Sequence, residues 1–377
     1  MKGKRLTALI LSALMMLTTA SCGVAMSALP SMKENTPAAS SEGDVSEPAV
    51  SVIAPTPDPE PELPPEPEFP YTNPLTGEGC ETDIGKNRPF AIMMNNHKDA
   101  QPQAGISSAD IIYEIPAEGG ITRMMGVFQD VSGVGEIGTV RSARDYYVSL
   151  ALGMDALYLH AGGSPQAYSF IKSWGIPAFD CVNGPYEGTL YWRDAARRKS
   201  AGLEHSVLTS SEKIQELFPT YGYRLEHKYG YTYPMSFAED ATPAEGQQAG
   251  TITIKYSNYK TGIFRYDGET GLYSVEQYGK PHTDANTGAQ LTVKNVLILK
   301  TDISLIKGDK DGRLSVRTTG TGTGQFICGG KMETITWNKP THNQPMIFTN
   351  AAGEELTFGI GTTYINIIGG SASYTVA

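Results

Sequence analysis

Residues 35–70 contain ten prolines and eight acidic residues and not one Lys or Arg. No other stretch restricts more tightly what this chain can fold into. Proline removes backbone donors and fixes φ, the carboxylates repel one another, and there is too little apolar surface to offset the entropy of ordering. The stretch is expected to be an extended, polyproline-rich spacer. At about 3.1 Å per residue it can hold the body of the chain on the order of 100 Å from the N-terminal segment. A Pro-rich ligand for a recognition domain is the alternative use of such a segment. Any packed core must come from the roughly 300 residues beyond it.

The segment ahead of the spacer reads as an export signal. Lys2, Lys4 and Arg5 are followed by the apolar run from Leu6 to Leu17 and then by Thr18-Thr19-Ala20-Ser21-Cys22-Gly23. A positive end, a short apolar core and small residues before a cysteine make a secretory signal. A cysteine in that place points to a bacterial lipoprotein, with Cys22 as the lipidated residue and residues 1–22 as the signal. Thr19 stands where such signals usually carry Leu, so an ordinary signal peptide cut nearby is the alternative. The apolar run is too short to span a bilayer. The expected address is the extracytoplasmic face of the cell membrane, reached through lipid on Cys22, which argues against cytosolic nucleotide chemistry.

The charge divides along the same lines. Of the formal −10, the spacer holds −8 and residues 1–34 hold about +3, leaving about −5 on the body. A mildly acidic body without a clustered basic face is not expected to bind nucleic acid. Cys80, Cys181 and Cys328 fit no zinc spacing. Free or buried thiols are expected, Cys80–Cys181 being the one pairing weighed.

The body changes texture once. From 71 to 225, short apolar runs (Phe90 to Asn95, Ala109 to Ile115, Ile121 to Phe128, Ala156 to His160) alternate with helix-like ones (Asp145 to Met154, Ser164 to Trp174, Ser210 to Phe218). Ser164 as N-cap with Pro165 in the first turn is a strong helix start. From 251 to 377 the pattern is β: Thr251 to Tyr256, the hairpin Gly262 to Val275, Asn295 to Leu299, Arg313 to Arg317, Thr334 to Trp337, Met346 to Phe348 and Thr363 to Ile368. Residues 226–250 read as a polar linker. The expected fold is α+β, a mixed α/β N-terminal domain followed by a mainly antiparallel β C-terminal one.

Short motifs then carry a resemblance. They are Asn73-Pro-Leu-Thr-Gly77, Arg88-Pro89, Asn95-Asn96, Gln101-Pro-Gln103, Ala109-Asp110, Tyr113-Glu114, Glu118-Gly-Gly-Ile-Thr-Arg123, Val140-Arg-Ser-Ala-Arg144, His160-Ala-Gly-Gly-Ser-Pro-Gln166 and Trp192-Arg193-Asp194. Together they resemble the YerB-type lipoproteins of Firmicutes, a family of unknown function that pairs such an N-terminal domain with a smaller C-terminal one. Asp302 to Gly308, the Gly-rich stretch 320–330 and Trp337-Asn-Lys339 are similar to that second part. Where a Pro-His-Asn-type run is expected after Trp192-Arg193-Asp194, this chain has Ala201-Gly-Leu-Glu-His-Ser206. The resemblance implies an exported, lipid-anchored, two-domain protein and supplies no activity.

Chemistry is therefore sought among the polar residues. A glycine bend entering a helix exposes free N–H groups at the positive end of the helix dipole. Gly162 and Gly163 lead into Ser164 in this way, and arginines nearby would add forked donors for carboxylate or phosphate. The expected site is an anion-binding cleft of Arg123, Arg141, Arg144, His160, Gly162, Gly163 and Ser164. Its ligand would be an anionic or polymeric component of the cell envelope, or a partner protein. The alternative is a cell-wall glycan hydrolase in which Glu114 or Glu118 serves as acid or base. The plainer reading is that Glu114 and Glu118 pair with the arginines. A triad of Ser164, His160 and Asp194 is disfavoured because Pro165 replaces the glycine of a nucleophile elbow. No metal or cofactor is expected: His282-Thr-Asp284 is isolated, and Thr319-Gly-Thr-Gly-Thr-Gly324 lacks the ending of a phosphate loop and reads as a turn or flexible connection. Tyr256, Tyr259, Tyr266, Tyr273 and Tyr278 would form either a binding face or cross-strand packing.

Overall fold

Phe90–Asn95 is a strand whose side chains are buried alternately on two faces, which is why it reads as a continuous apolar run. Ile92 and Met94 join one core, Ala91 and Met93 the other. The computed structural model describes residues 69–377. The signal, Cys22 and almost all of the spacer lie outside the described residues.

One eleven-stranded sheet organises the molecule. Its strands run in the order Gln247–Gln248, Lys331–Lys339, Gly320–Cys328, Asn295–Lys300, Thr363–Ile368, Ile111–Pro116, Thr122–Phe128, Phe90–Asn95, Leu157–His160 and Ala178–Asp180, with Ile347–Thr349 also on Lys331–Lys339. Thr363–Ile368 pairs in parallel with Ile111–Pro116, from Thr363 opposite Ile111 to Asn366 opposite Glu114. The two halves distinguished by texture thus share a sheet. Residues 226–250 are stitched in as well, since Ser236–Ala238 pairs with Thr357–Gly359 and Gln247–Gln248 with Lys331 and Met332. The described residues all fall within one compact unit, Pro65–Ala377.

One face of this sheet packs against a second, six-stranded sheet built on Thr251–Lys255, Thr261–Asp267, Leu272–Gln277 and Ser373–Val376. Ile252, Ile254, Phe264 and Val275 of that sheet share a core with Ile92, Ile112, Met124 and Ile298. The other face is covered by helices α1 (Asp145–Gly153) and α2 (Pro165–Trp174), which bring Tyr147, Val148 and Ala167 against Met93, Met125 and Ile365. Two shorter helices, α3 (Ala195–Ala201) and α4 (Ser211–Leu217), complete the set among the described residues. The fold is α+β with strand predominant. No described helix is long and apolar enough to cross a membrane.

Local signals placed most elements. Ser164 caps α2, its Oγ accepting from Ala167 N at 3.1 Å, with Pro165 at the first position. Ser210 caps α4 in the same way. The stretch Thr319 to Gly324 is a correction: it is not a loose connection but belongs to the regular strand Gly320–Cys328. Its alternating glycines are explained by Gly322, where a Cβ would lie 2.5 Å from the Trp337 indole of the opposing strand. The five tyrosines form no common face. Tyr256 and Tyr273 are buried in the core, Tyr266 packs against Tyr273 with the rings tilted by 44°, and Tyr278 donates its hydroxyl to Asn96 O at 2.6 Å. Cys80, Cys181 and Cys328 are all free thiols, so no Cys80–Cys181 bridge exists.

Candidate functional site

Glu114 lies on the strand Ile111–Pro116, on the face turned to the second sheet, and is fully buried. Thr122 Oγ1 and Asn96 Nδ2 donate to its Oε1 at 2.6 and 3.0 Å, and Gln277 Nε2 donates to its Oε2 at 2.9 Å. The Tyr364 hydroxyl donates to Oε2 as well. Lys260, itself fully buried at the end of a hairpin, brings Nζ to 2.9 Å from Oε1. Burial alone raises a carboxyl pKa, but Lys260 and these donors outweigh it and hold Glu114 below its ordinary value. A general acid needs a raised pKa and contact with substrate. Glu114 has neither, so its assignment as acid or base is withdrawn. It is a buried ion pair that joins the two halves.

Glu118 follows the same strand, in the turn Glu118–Gly120. Its Oε1 accepts from Arg123 Nη2 at 2.6 Å and from Arg144 Nη2, and its Oε2 accepts from Arg144 Nε at 3.2 Å. Burial raises its pKa, yet Arg123 and Arg144 bring it down to about 2. Both of its oxygens are held by arginines, which leaves the hydrolase reading without a free second carboxyl. Arg123 is only 3 % exposed, and its Nε and Nη1 have no acceptor. Burial, then repulsion from Arg144 and Arg141, pulls Arg123 down to about 10. Arg123 and Arg144 share Glu118, while Arg141 pairs with Glu204, and the five groups sum to +1.

This pairing carries a stability prediction. Glu118→Gln leaves two nearly buried guanidinium groups without their anion and should cost about 2–3 kcal/mol at neutral pH. The unfolded glutamate titrates near its ordinary 4.5 and the folded one at about 2. On acidification the unfolded chain binds the proton first, so the stabilisation is complete above 4.5 and is lost as pH falls towards 2. Urea unfolding of both proteins should show the gap closing over that window. A gap that stays constant with pH would remove Glu118 as the anchor.

The 162–165 bend is as expected in shape but is already occupied. Gly162 has φ +76° and donates its N–H to Asp180 Oδ1 at 2.7 Å. Val182 N and the Tyr168 hydroxyl also bond the Asp180 carboxylate, at 2.9 and 2.8 Å. The protein's own carboxylate therefore takes the place given to a ligand. Gly163 pairs with Ala143, and Ser164 is a cap rather than a nucleophile. His160 is buried, with Nδ1 at 2.8 Å from Gly162 O, and burial lowers its pKa against the pull of Asp180. Asp194 caps α3 by accepting from Arg197 N at 2.6 Å, which rules it out as a triad member. His282 Nε2 sits 2.7 Å from Gln103 Oε1, while Asp284 accepts from Gly105 N and Ser107 N; both are structural.

Beyond the carboxyl ends of two adjacent parallel strands, Leu157–His160 and Ala178–Asp180, lies an open recess of about 240 Å³. Ala161 and Gly162 follow the first strand and Val182 the second. In layered α/β sheets this is the place where ligands settle. Arg141, Arg193 and Glu204 also line it. Arg141 pairs with Glu204, whose side chain is 68 % exposed. Arg193 pairs with Glu187, 46 % exposed, at 2.8 Å. Arg193, Glu187 and Glu204 are not candidates by sequence pattern. Arg193 stands inside the Trp192-Arg193-Asp194 run, and Glu204 inside the segment that departs from the family pattern. Asp180 and Lys260 give no local signal.

The comparisons agree with the motif reading. Residues 75–224 match the "Protein of unknown function (DUF3048) N-terminal domain", and residues 252–365 match its C-terminal domain. The protein named "Putative lipoprotein YerB" of Bacillus subtilis (strain 168) is 33 % identical over 301 residues, covering 78 % of this chain and 85 % of that protein. The crystal structure of the YerB protein from Bacillus subtilis superposes with a TM-score of 0.70 at 29 % identity, over 81 % of this chain and 99 % of that one. Sequence motifs, both domain matches and the shared fold converge, and the chain belongs to the DUF3048 family of YerB-like proteins.

Proposed function

We propose that this protein is a lipid-anchored, extracytoplasmic binding protein that holds an anionic group of a cell-envelope polymer in the recess between Arg141, Gly162 and Arg193. The signal-like segment ending in Cys22, and a relative named as a putative lipoprotein, support this address. The binding reading rests on one observation. Two guanidinium groups from distant segments face one recess, and their counter-acids Glu204 and Glu187 are 68 % and 46 % exposed. Each pair keeps one partner open to water, so a bidentate carboxylate or phosphate competes with Glu204 or Glu187 for the guanidinium. Arg123 and Arg144 are locked to a half-buried acid and do not line the recess.

The recess suits a single oxyanion and its neighbours rather than a run of sugar rings. No raised carboxyl faces it, which favours holding over hydrolysis. Co-sedimentation with purified cell wall tests this. Saturable binding should weaken about tenfold or more on Arg141→Ala or Arg193→Ala, while Glu204→Gln, which frees Arg141, should tighten it. Binding that ignores all three changes, or soluble products released from the wall, would refute the proposal.

A further inference from the structure

A larger opening lies elsewhere. It is a groove of about 890 Å³ lined by Lys300, Asp302, Arg317, Gly322, Thr323 and Tyr374, among others. One bank is the strand Ser373–Val376, the edge of the second sheet. It pairs only with Thr251–Lys255. Thr251 and Ala377 exchange both backbone hydrogen bonds, at 2.7 and 2.9 Å. In an antiparallel ladder the exchanging pairs alternate, so Thr375 and Ser373 also bond inwards. The N–H and C=O groups of Tyr374 and Val376 therefore point away from the sheet. The other bank is the start of the strand Gly320–Cys328. Lys331–Lys339 pairs along its whole length, but Asn295–Lys300 reaches it only from Gly324 to Ile327. Its first residues thus have no strand neighbour on that side, although Arg317 takes the Thr321 carbonyl.

Two cations stand along this groove. Lys300 Nζ lies 5.3 Å from the Tyr374 ring centre, and among the described residues no acid pairs with it. The Arg317 guanidinium lies 5.1 Å from the Trp337 ring centre. It bonds Asp302, which is 87 % exposed, and the carbonyls of Thr319 and Thr321. Stacking on a ring fixes each cation without using up its charge. A row of unpaired backbone groups is a template for an added strand.

We propose that the groove takes an extended acidic peptide, which adds as a strand along Tyr374 and Val376 and sets its carboxylates against Lys300 and Arg317. The two cations favour an acidic strand over a second copy of this edge, because two copies would bring like charges together. This site is separate from the Arg141 recess, and neither depends on the other.

The test uses a labelled peptide of alternating Glu and Val, and a Lys/Val peptide as control, followed by fluorescence anisotropy. The acidic peptide should bind saturably and the basic one should not. Tyr374→Pro removes an outward N–H and no sheet bond, which an edge strand tolerates; it should weaken binding about tenfold, and Lys300→Glu comparably. Tyr374→Phe keeps the backbone and should retain binding. Amide exchange at 374 and 376 should slow when the peptide is added. If Tyr374→Pro proves unfolded, Lys300→Glu and the exchange rates decide. Equal binding of both peptides, no saturable binding, or no loss in the variants would overturn the proposal. So would a dimer in sedimentation with these amides protected in the absence of peptide, which would give the edge to a second copy.

Discussion

Cut between residues 240 and 250, the chain will give two pieces that are each unfolded alone and regain structure when mixed. The strand Thr363–Ile368 lies inside the sheet, between Asn295–Lys300 and Ile111–Pro116, and all six of its residues are buried. Tyr364, Ile365, Ile367 and Ile368 each bury a large side chain worth roughly 1.5–3 kcal/mol. Their sum rivals the net stability of about 5–15 kcal/mol of a whole domain. Without the second piece, Ile111–Pro116 also loses a parallel neighbour, and Ile92, Ile112 and Met124 lose the sheet that covers them. Circular dichroism and amide NMR of each piece and of the mixture read this directly. A cooperative thermal transition in the isolated first piece would show that the two halves are independent folding units.

Lys260→Met should be the most damaging single change, costing about 3–5 kcal/mol. It leaves the fully buried Glu114 carboxylate without a counter-charge while keeping most of the apolar stem that Lys260 packs. Removing both charges, as Lys260→Met with Glu114→Gln, should cost less than Lys260→Met alone, because no unpaired ion is then buried. The pH dependence separates the two situations. In the parent protein Glu114 is held below its ordinary 4.5, and its contribution is present above that value and lost as pH falls through the folded one. In Lys260→Met the Thr122 and Tyr364 hydrogen bonds remain, but burial loses its main opponent and the Glu114 pKa rises. The variant then gains relative stability as pH falls from neutral towards that value, and the gap in urea unfolding narrows. A gap independent of pH, or a double change as costly as the sum of the singles, would show that the pair does not act as one.

Legibility in the sequence followed distance along the chain. Ser164 with Pro165 announces α2 because capping is decided within about four residues. Phe90–Asn95 and Thr363–Ile368 announce buried strands because both faces need apolar side chains. Arg123, Arg141 and Arg144 are anticipated as one cluster, but Arg123 and Arg144 share Glu118, while Arg141 pairs with Glu204 from a segment 63 residues beyond it. The bend at Gly162 has the form of an anion site, but Asp180, eighteen residues on, fills it. Glu114 looks like a catalytic acid because nothing near it in sequence reveals a buried lysine at 260.

The amino-acid sequence by itself pointed to the family and to the kind of element that most segments of the body form. These depend on composition and on contacts between residues a few positions apart. Tertiary structure alone decided that both halves close one sheet, which carboxylates are neutralised, and which cations still face water. Those outcomes depend on which strands become neighbours, and burial between them sets the cost of every unpaired charge.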